Sequence, residues 1–436
     1  ITYKTELSGL INGTTLNIVL NIHRGYRAKE DGFLRTLIPT EDTIKELNEC
    51  RKKIRACLKT GLRSFIDDYN SEGPNPKFRI QGSWAYGLCN LPAHKGQELD
   101  LDYGVYLSAE VFDECTEYSK ETLQSYFLKV EDLLKDLAIE QNWKLDTEDN
   151  INCIRLLVNS FTHLDVPVYI VPKDMFDSLE EYSELQVGIR KSSVSAGLED
   201  YNLSDSLAMD SDLLYETFKF ESHGLLYEEK FKDHIDLDNI KRITMAQRDG
   251  GYRESDCEQV RQWFLNFLSE QEDNGSQLRF ICRYLKAWRD YHWEKGGGPS
   301  SILLMVIACQ NYKFIEGRDD LALLNILHAL PNRLKESVFE NGIPDHENED
   351  FNRIKSENRL YCSNKATQFL NLIKDGLSTT EKKYCLSYHI DAFGVRYPNN
   401  EDYVITSKQP FSEEDTFKQT LTSSQTAKVL PSVTSG

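Results

Sequence analysis

The chain has 436 residues, 40% of them hydrophobic and 28% charged, with a formal net charge of −19. This length exceeds what one ordinary hydrophobic core needs, so we expect two lobes. The acidic balance counts against a protein that binds long nucleic acid, which normally offers a broad basic surface, and favours small nucleotides as substrates.

The sequence shows no sign of export or membrane insertion. No apolar run approaches the roughly 20 residues that cross a bilayer, and the first residues lack the basic-then-apolar pattern of a signal peptide. The ten cysteines include no Cys-x-x-Cys pair of the kind that holds zinc. We therefore expect reduced thiols, a cytoplasmic location and no membrane partner.

The apolar periodicity predicts a sheet-forming half followed by a helical half. A long amphipathic helix follows Pro39, with Thr40 as its N-cap and Glu41 and Asp42 in its first turn. Strands are predicted at about 78–81, 99–107, 151–158 and 163–171, and a helix at 121–137, an order typical of a small mixed sheet. Further helices are predicted at about 259–267, 277–291, 300–312, 321–327 and 365–374, before a flexible tail.

Three aspartates are candidate metal ligands. Asp100 and Asp102 alternate with apolar residues on a predicted strand, so both carboxylates share one face and can hold a pair of Mg²⁺ ions. Asp165 is the only acid in an apolar strand, where a carboxylate must pair, shift its pKa or bind a cation. Pro167 predicts that this strand is at an edge or bulged. A solvated strand face, or backbone N–H groups that satisfy Asp165, are the alternatives.

Two stretches are candidate phosphate contacts. The Gly82-Ser83 turn follows a predicted strand, and its glycine allows close approach of a ligand while its serine adds a donor. Basic residues also line one face of the helix predicted over 277–291 and could clamp a triphosphate; they are Arg279, Arg283 and Lys286. Ser300 comes near the start of the next helix. An ordinary turn, a solvated helix face and a helix cap are the respective alternatives.

These motifs together resemble the bacterial cGAS/DncV-like nucleotidyltransferases, the CD-NTases. The resemblance rests on Gln81-Gly82-Ser83-x-x-Tyr86-Gly87, Glu98-Leu99-Asp100-Leu101-Asp102-Tyr103-Gly104-Val105-Tyr106, His163-Leu164-Asp165-Val166-Pro167, and Arg283 to Asp290 with Gly298-Pro299-Ser300-Ser301. It implies an α+β fold in which a DNA polymerase β-like lobe with a mixed sheet packs against a helical lobe, with the active site between them. We expect the catalytic lobe at 1–204, the helical lobe at 205–400 and a flexible tail at 401–436.

The resemblance also implies a function. It predicts an enzyme, dependent on Mg²⁺ or alternatively Mn²⁺, that condenses ATP and GTP into a cGAMP-type cyclic dinucleotide and releases pyrophosphate in anti-phage (CBASS) signalling. The catalytic metal ligands would be Asp100, Asp102 and Asp165, the last nearest the attacking ribose hydroxyl. The nucleotide contacts would be Gln81, Gly82, Ser83 and Tyr86 for the donor, Arg155 for the acceptor, and Lys286 and Ser300 for phosphates.

Other interpretations stay open at this point. One is a template-independent nucleotidyltransferase that acts on RNA or a small molecule, and another is a catalytically silent nucleotide-binding scaffold. The resemblance further implies a ubiquitin-like conjugation enzyme as a partner, acting on the C-terminal Gly436.

Overall fold

A mixed seven-stranded sheet is the central element of the described residues between 77 and 254. The computed structural model describes residues 10–11, 14–15, 18–29, 31–112, 120–146, 150–177, 179, 243–254, 257–271, 273, 275–343 and 348–406. The strands in chain order are β1 (Leu10–Ile11), β2 (Thr14–Thr15), β3 (Leu20–Asn21), β4 (Lys77–Gln81), β5 (Leu99–Ser108), β6 (Lys144–Asp146), β7 (Cys153–Leu157), β8 (Thr162–Val171), β9 (Thr244–Ala246), β10 (Tyr252–Glu254) and β11 (Ile405–Thr406).

The sheet is built around a parallel pair of long strands. Its order is β10-β9-β8-β5-β4, with β7 also paired to β8 and β6 paired to β7. Strands β5 and β8 run parallel, whereas the other described pairs of this sheet are antiparallel. The short strands pair separately, β1 with β2 and β3 with β11.

Helices account for most of the rest of the described chain. They are α1 (His23–Arg27), α2 (Phe33–Leu37), α3 (Glu41–Tyr69), α4 (Gly82–Ala85), α5 (Lys120–Gln141), α6 (Cys257–Ser269), α7 (Ser276–His292), α8 (Ser301–Asn311), α9 (Asp319–Arg333), α10 (Ser356–Ser378) and α11 (Lys382–Phe393). Turns of 3-10 helix occupy Ala109–Phe112, Gly394–Arg396 and Glu401–Tyr403. Among these residues, no helix is both long and apolar enough to span a bilayer.

The alternation of β5 gives the sheet one apolar and one polar face. Leu101, Val105 and Leu107 are fully buried and belong to one core with apolar residues of α3 and α5. Because successive strand residues point to opposite faces, Asp100 and Asp102 lie on the other side. The helices therefore cover the apolar face and leave the aspartates on the opposite one.

The long helix α3 begins as predicted. The hydroxyl oxygen of Thr40 accepts a hydrogen bond from the backbone N–H of Thr43 at 3.2 Å, and Glu41 and Asp42 occupy the first turn. This cap satisfies one of the free N–H groups at the helix start, where acidic side chains also complement the helix dipole. The predicted N-cap is confirmed.

The predicted elements are confirmed in kind, and the predicted α+β class with them. The strands predicted at 78–81, 99–107, 151–158 and 163–171 begin and end within two residues of β4, β5, β7 and β8. Helices α9 and α10 are longer than the predicted 321–327 and 365–374, and α11 was not predicted. Local periodicity thus identifies the type of an element better than its ends.

The predicted edge position of Pro167 is wrong. Strand β8 lies inside the sheet, with β5 on one side and both β7 and β9 on the other. On that second side β7 pairs with residues 163–167, and β9 pairs with residues 168–170. Proline has no N–H to donate, and it is tolerated here because the neighbouring strand changes directly after it.

The predicted lobe boundaries at 204 and 400 stay a prediction. Residues of α1 and α2 such as Tyr26 and Phe33 share a core with Trp288 of α7, so residues 20–37 pack with the helical part rather than with the sheet. Strands β9 and β10, at 244–254, belong to the sheet although they follow the predicted boundary at 204. Residues 401–406 are ordered, since β11 pairs with β3; Gly436 and the rest of the predicted tail lie outside the described residues.

Candidate active site

The strand register brings the predicted aspartates together. In the parallel β5–β8 pair, Asp102 lies directly opposite Asp165, and Asp100 lies opposite His163. The alternation of both strands places all four side chains on the polar face of the sheet. Three carboxylates that are far apart in sequence therefore converge at one point of the sheet.

The Asp165 carboxylate is held by an arginine on the neighbouring strand. Arg155 of β7 lies opposite Asp165 in register, and its Nε and Nη2 atoms donate to the two carboxylate oxygens at 2.8 and 2.7 Å. This bidentate hydrogen bond raises the pKa of Arg155 above its ordinary value. The buried acid thus pairs, which is one of the outcomes expected from its apolar surroundings.

His163 lies between the carboxylates of Glu98 and Asp100. Its Nδ1 is 2.8 Å from Oε2 of Glu98, and its Nε2 is 2.9 Å from Oδ1 of Asp100. The surrounding protein shields Asp100 from part of the solvent, which raises its pKa. The contact with His163, the positive charge of His163 and that of Arg155 outweigh this effect and hold the pKa below its ordinary value. Sequence reasoning missed His163, although it shares the alternation of Asp165 on the same strand.

Asp102 carries the least compensated charge of the three. Burial, with the neighbouring charges of Asp165 and Asp100, raises the pKa of Asp102 to about 7. Charge of this kind is stabilised by a cation, and carboxylate oxygens are the ligands that Mg²⁺ prefers. As the side chains stand, however, no three metal-ligating residues in the described ranges form a ready metal site, and both oxygens of Asp165 face Arg155.

The Gly-Ser turn lies against this carboxylate. Strand β4 ends at Gln81, opposite Asp102, and α4 begins at Gly82 with a φ of +61°. A Cβ atom at Gly82 would be 2.0 Å from Oδ2 of Asp102. Only glycine fits this conformation and this space. The indole nitrogen of Trp84 donates to the backbone oxygen of Asp100 at 2.5 Å, which ties α4 to β5.

The side chains of Gln81 and Tyr86 are directed into the protein. The Gln81 amide nitrogen donates to the Tyr106 hydroxyl, and its amide oxygen accepts from the Tyr169 hydroxyl at 3.1 Å. The two tyrosine rings stack with centroids 4.7 Å apart. Tyr86 is buried in the helical core, edge-on to Phe264. Both residues therefore fix the two ends of the Gly-Ser turn, and their contact with a nucleotide stays a prediction.

The basic face of α7 holds the backbone that follows this turn. Arg283 is fully buried and donates to the carbonyl oxygens of Gly87, at 2.7 Å, and of Cys89. Lys286 donates to the carbonyl oxygen of Leu88, and burial lowers its pKa to about 8. The alternative of a solvated face is wrong for these residues. The cations of α7 secure residues 87–89, which we call the connecting segment, to the helical core.

Ser300 caps the following helix. Its hydroxyl oxygen accepts a hydrogen bond from the backbone N–H of Leu303 at 3.2 Å, and α8 begins at the next residue. A serine in this position typically stabilises a helix by about 1 kcal/mol. The helix-cap interpretation is therefore confirmed, and contact of Ser300 with phosphate stays a prediction.

We expect Arg283→Met to destabilise the protein by about 3–5 kcal/mol. The change leaves the buried carbonyl groups of the connecting segment without their charged donor, and an unpaired buried polar group loses its full solvation energy. Urea unfolding measures the loss.

The matched control is Arg353→Met. Arg353 pairs with Glu349 but is half exposed, so its removal is expected to cost less than about 0.5 kcal/mol. Equal losses in the two variants would show that the Arg283 contacts do not secure the connecting segment.

Comparisons with known proteins match both parts of the chain. The family model "Cyclic GMP-AMP synthase DncV-like, nucleotidyltransferase domain" matches residues 76–169, which include β4, β5 and β8 up to Tyr169. The model "Cyclic GMP-AMP synthase, C-terminal domain" matches residues 275–406, from α7 to β11. The first match therefore contains the aspartate cluster, and the second contains most of the helical part.

Curated relatives and solved structures agree with these matches. The cyclic GMP-AMP synthase of Vibrio cholerae serotype O1 is 27% identical over 92% of this chain and 96% of its own length. A cyclic GMP-AMP synthase of Escherichia coli is 32% identical over 53% of this chain and 46% of its own. Crystal structures of Vibrio cholerae DncV, one in its apo form and one with the linear intermediate 5′ pppA(3′,5′)pG, superpose with TM-scores of 0.64 and 0.63. Each is 20% identical and covers 90% of this chain and 100% of its own. At this identity the structures show a shared fold.

Proposed function

This chain belongs to the DncV-like nucleotidyltransferases, and we propose on that premise that it joins ATP and GTP into a cGAMP-type cyclic dinucleotide and releases pyrophosphate. One observation carries the proposal. Asp102 lies opposite Asp165 on a parallel strand pair and against the Gly82 turn. A nucleotidyltransferase of this kind needs clustered carboxylates beside backbone that a triphosphate can approach, and the aspartates with the Gly82 turn fit that need.

We propose that Asp100, Asp102 and Asp165 hold Mg²⁺, with Mn²⁺ as an alternative. The donors fit a hard cation, since all are carboxylates and Asp102 carries charge that is not neutralised by a side chain. When bound, the metal supplies a Lewis acid that activates the attacking hydroxyl and stabilises the charge of the triphosphate. Binding requires the Asp165 carboxylate to turn away in part from Arg155, while Asp100 can keep Oδ1 towards His163 and offer its other oxygen to the metal.

The Gly-Ser turn is proposed to receive the donor nucleotide. Because Gly82 has no side chain, its backbone can approach a phosphate next to Asp102, and Ser83 adds a hydroxyl donor. Gln81 and Tyr86 act through the turn that they fix, since their side chains are buried on either side of it. This role differs from the direct contact that the family resemblance implies.

Arg155 is proposed to meet the acceptor nucleotide. Its guanidinium holds Asp165, yet the side chain is 31% exposed, so its outer edge remains accessible. Lys286 is 5% exposed, and to reach a phosphate it must exchange the Leu88 carbonyl for that ligand. Ser300 must likewise share its hydroxyl between the α8 cap and a phosphate.

Family membership also supports a cellular role. We propose that the product acts as a second messenger in anti-phage defence, with the enzyme in the cytoplasm. A cyclic dinucleotide suits such a role because it lacks the free terminal phosphates that phosphatases remove. This cellular role is supported by family membership alone, and the proposed chemistry does not depend on it.

The proposal is tested by pyrophosphate release from every pair of nucleoside triphosphates, with Mg²⁺, with Mn²⁺ and with EDTA. We expect the fastest release from ATP with GTP, and none with EDTA. An RNA-extension assay runs in parallel. Extension of RNA without dinucleotide formation would favour a template-independent transferase, and thermal stabilisation by nucleotides without pyrophosphate release would favour a silent binder.

A further inference from the structure

His163 is a buried group at the site that the proposed chemistry does not use. It lies two register pairs before Asp102 and Asp165, directly opposite Asp100. Its side chain is 4% exposed, and both ring nitrogens face carboxylates, Glu98 at 2.8 Å and Asp100 at 2.9 Å. The second carboxylate oxygen of Asp165 is 3.9 Å from the same Nε2 atom. A ring in this position contacts the proposed metal ligands from both strands.

The surroundings of Asp100 explain why such a contact matters. The Asp100 side chain is 58% exposed, so the packing of neighbouring side chains does little to fix its rotamer. His163, in contrast, is held by burial and by Glu98 on its far side. Carboxylates that bind a metal are usually contacted by neighbouring polar groups that orient them. An exposed ligand thus lies in ion-pair contact with a buried ring, and the ring is held by a second acid.

We propose that His163 is a positioning residue that fixes the Asp100 carboxylate for metal binding, with Glu98 fixing the ring. The proposal rests on the proposed function, since it concerns the same metal ligands. It assigns His163 no contact with the nucleotide and no proton transfer. Replacing His163 is expected to weaken metal affinity, and to lower the rate only because less metal is bound.

A matched pair of substitutions separates the two sides of the ring. In His163→Gln, the amide nitrogen takes the place of Nε2 and keeps a donor towards Asp100. In His163→Asn, the shorter side chain takes the place of Nδ1 and keeps only the Glu98 side. The readout is Mn²⁺ affinity of the nucleotide-free protein by electron paramagnetic resonance, followed by KM and kcat at saturating metal.

We expect His163→Asn to weaken Mn²⁺ binding about 10–100-fold, the usual effect of losing a group that orients a metal ligand. His163→Gln is expected to weaken it less than about 5-fold on the same grounds. At saturating metal both variants should recover most of kcat. The control is His94→Gln. The His94 ring nitrogen faces the Tyr291 carbonyl rather than a carboxylate, and the Mn²⁺ affinity of this variant should not change.

A second measurement keeps the proposal falsifiable if the histidine variants do not fold, which thermal denaturation reports. Glu98 is partly exposed. Glu98→Ala removes the acceptor that fixes the ring and should weaken Mn²⁺ binding, whereas Glu98→Gln keeps an acceptor and should not. Equal Mn²⁺ affinity of wild type, His163→Asn and Glu98→Ala would overturn the positioning role while leaving the proposed function intact. Failure of the wild type to bind Mn²⁺ would overturn both.

Discussion

Asp102→Asn is expected to reduce dinucleotide formation at least about 10³-fold while the protein stays folded. The substitution removes the charge that lies opposite Asp165 and leaves an isosteric side chain in its place. The rate of product formation at saturating Mg²⁺, ATP and GTP measures the effect. Retention of more than a tenth of the wild-type rate would contradict the assignment of Asp102.

The same substitution should stabilise the metal-free protein at alkaline pH. The pKa of Asp102 is about 7 in the folded protein, above its ordinary value of 3.8, so the folded state holds a proton that the unfolded state releases. Stability from this group is therefore present below pH 4 and is lost as the pH rises through 7. In EDTA at pH 8, Asp102→Asn should be more stable than wild type by on the order of 2 kcal/mol, with the difference vanishing near pH 4.

The matched control for this experiment is Asp391→Asn. Asp391 lies on the exposed face of α11, away from the aspartate cluster. Neither the rate nor the pH dependence of stability should change in this variant. A stability gain shared by both variants would indicate relief of the overall negative charge rather than of the cluster at Asp102.

Gly82→Ala is expected to lower activity by more than about 100-fold and to destabilise the protein by about 1–3 kcal/mol. The new methyl group would lie 2.0 Å from Oδ2 of Asp102, so the turn or the carboxylate must move. Alanine also tolerates the φ of +61° poorly. Initial rates and urea unfolding measure the two effects separately.

Gly317→Ala separates backbone strain from the clash. Gly317 has a φ of +62°, yet a Cβ there would meet no atom within 4 Å. This variant should lose about 1 kcal/mol of stability and keep its activity. If Gly82→Ala and Gly317→Ala are equally active, the close approach of the turn to Asp102 has no role in the chemistry.

Local sequence pattern was sufficient to locate the aspartates. Alternation along β5 placed Asp100 and Asp102 on one face, and the apolar run around Asp165 marked it as an acid that needs a partner. The identity of that partner could not be predicted, because it depends on the register between β7 and β8, which sets Arg155 opposite Asp165. His163 was missed for the same reason, because its contacts join different strands. From β8 it contacts Asp100 of β5 and Glu98, the residue that precedes β5.

The packing of the lobes was also beyond local pattern. The spacing of Arg283 and Lys286 correctly put them on one helix face, but spacing does not reveal what covers that face. The structure covers it with the carbonyl groups of the connecting segment. Gly87 and Arg283, for example, are 196 residues apart in sequence. Tyr26 and Phe33 likewise pack in the helical core with residues that come much later in the chain, and no periodicity near these two residues indicates this packing.

The most direct test of the account is the product formed from labelled ATP and GTP with Mg²⁺, treated with phosphatase and identified by mass spectrometry, for wild type beside Asp102→Asn. The account predicts a phosphatase-resistant cyclic dinucleotide that contains one adenosine and one guanosine, present with wild type and absent with the variant. Only linear products from the wild type, or the same cyclic product from the variant, would contradict it.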